Sequence, residues 1–156
     1  AEMKGLLSST EEGALVLSVP GIGEIGAATI LGETGGLKQY RNPNQIRKLA
    51  GLDLVGRQSG SHQSGKRISK RGRRLLRKVL YQVAVVAIRC NPVMARYYKA
   101  LTDAKRSNRL ARKEALVAVM GKMVEIAYSL VRTGQEFDPE YRWRPPARGA
   151  VSRMAA

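Results

Sequence analysis

An all-α fold is what this sequence predicts, on three observations. Apolar residues recur at three- and four-residue spacing through the second half of the chain, in the runs around Leu75–Ala87, Val93–Leu101 and Leu116–Leu130. Helix punctuation separates and closes these runs, with Asn91-Pro92 between the first two and Gly134 after the last. In the first half, the glycine turn Pro20-Gly21-Ile22-Gly23 feeds a run of small and aliphatic residues. The expected order is a helix-hairpin-helix-like N-terminal part, a basic glycine-rich loop, and three helices ending in a helical hairpin. At 156 residues and 44% hydrophobic, the chain can bury one core. One helical domain is expected over residues 1–135, with a mobile tail over residues 136–156 that includes Trp143 and Pro145-Pro146.

Taken in order, Ser9-Thr10-Glu11-Glu12 reads as a helix start, hydroxyl caps followed by acids that suit the positive end of the helix dipole. The helix-hairpin-helix-like unit lies near residues 14–32. In such a motif the Gly-Ile-Gly turn offers backbone N–H groups to a phosphate, which makes Gly21 and Gly23 candidate contacts; a plain helical turn is the alternative. Asn42 suits a cap with Pro43 at the first helical position, opening a short helix over Gln45–Ala50. Gly51–Gly56 leaves room for one brief extended segment before the basic loop. Ser69 is the expected cap of the long helix that follows, with Leu75, Leu76, Val79, Leu80, Val83, Val86 and Ala87 on its buried stripe. Cys90, the one cysteine, leaves no internal disulfide and no cysteine-cluster zinc site, and within an apolar run it is expected as a buried small hydrophobe. The last helix is expected from about Leu110 to Arg132.

Charge points to the partner. Net charge is +16 with 28 Lys and Arg against 12 Asp and Glu, and Arg57 to Lys78 carries nine of those cations without a carboxylate. Like charges packed this way repel, and a polyanion relieves the repulsion while releasing its own counterions. DNA, RNA or an anionic membrane surface suits such charge, and nucleic acid is the expected partner, with Arg57, Gly60, Lys66, Arg67, Lys70, Arg71, Arg74, Arg77 and Lys78 as candidate contacts and Arg71, Arg74 and Lys78 on one helical face. The longest apolar stretch, Val79–Ile88, is too short to cross a bilayer and no signal peptide is visible, so the expected location is cytoplasmic with no membrane partner. The same loop holds Ser59, Ser61, Ser64 and the one histidine, His62. Any of the three serines could be a nucleophile beside these cations, or the loop could simply clamp phosphates.

A resemblance narrows the choice. The ordered series Pro20-Gly21-Ile22-Gly23, Ala28-Thr29-Ile30-Leu31-Gly32-Glu33, Leu49-Ala50-Gly51-Leu52, Gln58-Ser59-Gly60, Ile68-Ser69-Lys70-Arg71-Gly72 and Leu76-Arg77 resembles the C-terminal domain of insertion-sequence transposases of the 110/116/902 type, over about residues 15–135. That resemblance implies a DNA recombinase in which this domain supplies a serine nucleophile at the position of Ser59, linking covalently to DNA. It also implies a separate RuvC-like domain with an Asp-Glu-Asp-Asp site holding Mg2+, a structured guide RNA that chooses targets, and a homo-oligomer as the working form. Two positions depart from the family pattern: Leu54 stands where proline is usual, and Arg73 where a polar asparagine is usual. No cofactor and no grouped carboxylates are expected within the chain itself, so it reads as a piece that does not cleave DNA alone. The rival readings are a non-catalytic nucleic-acid-binding module and an assembly domain that dimerises through the helices from Pro92 onward.

Overall fold

The computed structural model describes residues 2–59, 62–105 and 107–140, with 56–59 and 62–66 described through their backbone alone. The expected mobile tail from residue 141 onward, with Trp143 and Pro145-Pro146, lies outside the described residues. Within them are seven α-helices and one two-stranded sheet: α1 (Glu2–Ser8), α2 (Glu11–Leu17), α3 (Glu24–Thr34), α4 (Pro43–Leu49), β1 (Leu54–Ser59), β2 (His62–Ile68), α5 (Arg74–Cys90), α6 (Pro92–Thr102) and α7 (Arg112–Thr133). The all-α expectation holds for the body of the molecule.

Local chemistry sets most of the helix ends. Thr10 caps α2, its Oγ1 accepting from the Gly13 N–H at 3.1 Å. Asn42 Oδ1 accepts from the Gln45 N–H at 3.2 Å, with Pro43 opening α4. Asn91 both ends α5 and starts α6: its N–H donates to Ala87, its Oδ1 accepts from Val93 and Met94, and its Nδ2 donates to the Pro20 carbonyl at 3.2 Å. A fully buried Asn with each of these groups bonded ties the α5–α6 corner to the α2–α3 turn. Gly134, left-handed at φ 69°, stops α7 as expected.

Helices α5 and α7 form the centre, with α3 and α6 against α5, and α2, α4 and α6 against α7. Leu76, Leu80, Met94, Val119, Met120 and Met123 are among the residues shut off from solvent there. At the edge, Lys38 bonds to Glu11 at 2.6 Å, and that carboxylate raises the lysine above its ordinary value. Among the described residues no helix is long and apolar enough to cross a membrane.

Four local expectations are corrected. The basic stretch is a β-hairpin rather than a loop, with Leu54 opposite Ile68, Gln58 opposite Gln63 and Ser59 opposite His62. Ser69 does not cap α5: its Oγ accepts from the Arg71 N–H at 3.3 Å, and the helix begins five residues later at Arg74, so Arg71 precedes the helix. Glycine at 72, with φ 154°, makes the turn that delays the start. Leu75 and Val86 are 52% and 50% exposed, because α5 meets its neighbours through the stripe of Leu76, Leu80, Val83, Ala84 and Ala87. Cys90 is exposed, being the last residue of a helix whose buried corner is occupied by Asn91. Past α7, Phe137 lies against the core with its N–H donating to Ser18 Oγ at 3.0 Å.

Candidate nucleic-acid interface

The hairpin leaves the helical body at one place, and that place is tightly built. Its two legs, residues 49–53 and 69–73, are cross-bonded: the Ser69 N–H donates to Asp53 at 2.7 Å, Lys70 to Gly51 at 3.1 Å and Arg73 to Leu49 at 2.7 Å. Two glycines make the approach possible. Gly51 has φ 72°, and Gly72 lies where a Cβ would sit 2.3 Å from the Leu49 carbonyl oxygen and 2.7 Å from the Gly51 nitrogen. Lys70, a non-glycine, also takes the left-handed conformation, at φ 53°. Beyond this collar, among the described residues, the strands make their extensive contacts with each other. Between the Val55–Arg67 and Arg57–Ser64 pairs one residue of β1 stands opposite two of β2, a bulge of the kind that twists and bends a hairpin.

The predicted basic residues distribute around this collar. Arg67 is exposed near the end of β2, Lys70 and Arg71 are exposed in the leg leaving the hairpin, and Arg74 and Lys78 are exposed one turn apart on α5. Arg57 and Lys66 lie in β1 and β2, with side chains outside the described residues; Gly60 lies outside them altogether. Ser59, the predicted nucleophile, is the last residue of β1, and the rival Ser64 and His62 are in β2; Ser61 is outside the described residues. Arg77 differs from its neighbours. It is half-buried, and its Nη1 donates to the carbonyls of Ala50 and Lys70, each at 3.1 Å.

The start of α5 combines two features. Like α4 and α6 it carries no acid in the first turn, and unlike them, capped by Asn42 and Asn91, its N-cap residue Arg73 makes no side-chain capping bond. Cations at a helix N-terminus oppose the dipole, and each such opposition costs a few tenths to about 1 kcal/mol. The partial relief present is Glu33, whose carboxylate is 3.6 Å from the Arg73 guanidinium. An anion placed there would satisfy both the side chains and the exposed N–H groups.

The glycine turn is differently employed. Gly21 has φ 104° and packs on α5, where a Cβ would fall 2.8 Å from the Ala87 Cα. Gly23 is the N-cap of α3, exposed, with open space where a side chain would stand. The turn thus brings Gly23 to the surface and commits Gly21 to the helix crossing.

Two residues at the candidate interface were not among the contacts expected from sequence. Lys48 is exposed beside Leu49, whose carbonyl receives the Arg73 N–H, and this pairing brings the basic end of α4 to the basic start of α5. Arg73 completes the same collar. The signal for both was a lysine one residue before a Leu-Ala-Gly turn, unreadable until the turn is known to pair with residues 70–73. Among the described residues, no group of three or more His, Cys, Asp or Glu side chains lies together as a metal site.

Comparison with known proteins gives a consistent set of relatives. The family described as Transposase IS116/IS110/IS902 matches residues 13–99. An uncharacterized 42 kDa protein of insertion element IS900 from Mycobacterium paratuberculosis is 29% identical, over 80% of this chain and 31% of its own length. The transposase for insertion sequence element IS1111A of Coxiella burnetii is 29% identical, over 86% of this chain and 36% of its own. A pilin gene-inverting protein of Moraxella bovis is 26% identical, over 80% of this chain and 38% of its own. The chain therefore spans about a third of the length of the curated relatives it matches.

Proposed function

This chain belongs to the Transposase IS116/IS110/IS902 family, and from that premise we propose that it is the DNA-handling part of a transposase, with Ser59 as the nucleophile and the collar cations as its phosphate cradle. The observation that carries the reading is the join between hairpin and helix. A strand pair bearing Ser59 at its far end springs from a collar where Lys70, Arg71, Arg74 and Lys78 are exposed at a helix start lacking any acid. A phosphodiester lying along α5 toward the hairpin meets these donors in succession. Four such contacts would give DNA binding a logarithmic salt slope of about −4.

The chemistry asked of Ser59 is a transesterification. Its oxygen forms a bond to the DNA phosphorus as the bond from phosphorus to the leaving nucleotide oxygen breaks. The serine proton is released and the leaving oxygen takes one up. The count of phosphoester bonds is unchanged, so the link can be reversed onto a new strand without an external energy source. Cations near the phosphorus favour the extra negative charge of the transition state over the ground state. The acids of the described residues are scattered rather than grouped, so the described part does not fit a Mg2+ centre; the metal belongs to the remainder of a longer protein in this reading. A structured guide RNA, a homo-oligomeric working form and a cytoplasmic location are part of the same proposal, resting on family membership. The chain by itself is then expected to bind DNA without cutting it.

Ser59→Ala in the full-length protein is the test. DNA affinity stays within about threefold, because phosphate binding rests on the cations, while strand exchange falls by about a thousandfold or more. Strand exchange persisting in Ser59→Ala would instead leave the chain as a binding module that positions DNA for chemistry done elsewhere.

A further inference from the structure

Arg77 sits in the basic stretch like a phosphate contact, yet its bonds point inward. One nitrogen, Nη1, holds a carbonyl from each leg of the hairpin: Ala50 on the way in and Lys70 on the way out, both at 3.1 Å. The residue itself is anchored in the first turn of α5, its N–H donating to Arg73 at 3.1 Å. The opposing wall is fitted to the guanidinium, because a Cβ on Gly51 would lie 2.8 Å from that same nitrogen. It would also lie 3.0 Å from the Lys70 carbonyl carbon and 3.1 Å from the Arg71 carbonyl oxygen. Among the described residues the extensive contacts of each strand are with the other strand, and none of that extent is with a helix. The positive φ at Lys70 and Gly51 shows that both legs bend sharply at the level Arg77 grips.

We propose that Arg77 is a positioning residue that sets the direction of the Ser59-bearing hairpin relative to α5, rather than a DNA contact. The role rests on the reading of the hairpin as the element that handles DNA. Arginine suits it because a planar guanidinium can hold two carbonyls in fixed directions, which the ammonium of lysine, a point charge on a flexible stem, does poorly. In the bound state the cradle of Lys70, Arg71, Arg74 and Lys78 holds a phosphate, and Arg77 decides where the far end of the hairpin stands from it. Catalysis is steep in such placement, since a shift of about 1 Å can cost about a hundredfold in rate.

Two variants of the full-length protein test this, Arg77→Lys, which keeps the charge, and Gly51→Ala, which changes no charge but crowds the guanidinium. Without DNA, amide hydrogen exchange at Ser69, Lys70 and Arg73 is expected to quicken about tenfold or more in each, with core amides such as Leu80 and Met123 unchanged as a control for folding. With DNA, both are expected to bind with the wild-type salt slope but to exchange strands at least about tenfold more slowly. The two defects are expected to fall short of additive in the double variant, because both loosen the Arg77 contact, while the backbone strain that alanine adds at φ 72° is separate. Wild-type exchange protection and strand exchange in Arg77→Lys, with a salt slope reduced by about one in Arg77→Ala, would overturn the proposal and make Arg77 a phosphate contact. Hydrogen exchange reads the hairpin directly, so the outcome stands even if Ser59→Ala shows that the serine is not the nucleophile.

Discussion

The turn between α2 and α3 and the hairpin between α4 and α5 are both built around closely spaced glycines, yet they serve opposite ends. Gly21 takes a left-handed φ of 104° to bring the turn onto Ala87, and Asn91 seals the contact by donating to Pro20. Gly51 and Gly72 let two legs of backbone approach each other, then release a strand pair away from the body. Glycine in the first case removes a side chain so that helices can pack. In the second it removes side chains so that backbones can pair and a charged element can project. The lesson is that a glycine motif states close approach, and its neighbours state to what: apolar residues around Gly21, cations around Gly72.

The contrast breaks first at Gly21. Gly21→Ala puts a Cβ against helix backbone in a strained conformation, and about 2–4 kcal/mol of stability should be lost in denaturant unfolding. DNA affinity per folded molecule should not change; a mild stability effect with a large binding defect would move Gly21 from the core to the interface. Asn91→Ala comes next, at about 2–3 kcal/mol, because it strands buried N–H groups of α6 and the Pro20 carbonyl. On the hairpin side the pattern reverses. Arg74→Ala and Lys78→Ala should change stability by less than about 0.5 kcal/mol, and each should lower the salt slope of DNA binding by about 1. A stability effect of opposite sign bears on the collar: Lys70→Gly relieves a left-handed backbone worth up to about 1 kcal/mol. It should therefore keep or slightly raise the melting point while weakening DNA binding.

The helical body was largely legible. Thr10, Asn42, Asn91 and Gly134 are cap residues whose bonds are local, so the sequence neighbours that identify them are also their structural partners. The hairpin was not legible, because residues 57–66 lack the alternating apolar pattern that marks a strand. A signal was nonetheless present, since Gly60-Ser61 separates the strands by two residues of the type that suits a tight hairpin connection. Leu75, Val86 and Cys90 were misplaced for a different reason: periodicity gives the angular width of an apolar stripe but not how much of it the neighbouring helices cover. For the candidate site, the exposure of Lys70, Arg71, Arg74 and Lys78 was readable from their charge. The inward turn of Arg77 and the arrival of Lys48 were not, since both depend on pairing between segments about 20 residues apart.

The central claim is that the hairpin carries the nucleophile while the collar holds the phosphate. The most direct measurement traps the covalent protein–DNA adduct of the full-length protein on an element-end substrate under denaturing conditions and maps it by peptide mass spectrometry. A phosphodiester link on Ser59 is expected, absent in Ser59→Ala, with a yield that falls in Arg74→Ala and Lys78→Ala as salt is raised. Cleaved DNA with no adduct, or an adduct on Ser61, Ser64 or a residue outside the hairpin, would contradict it.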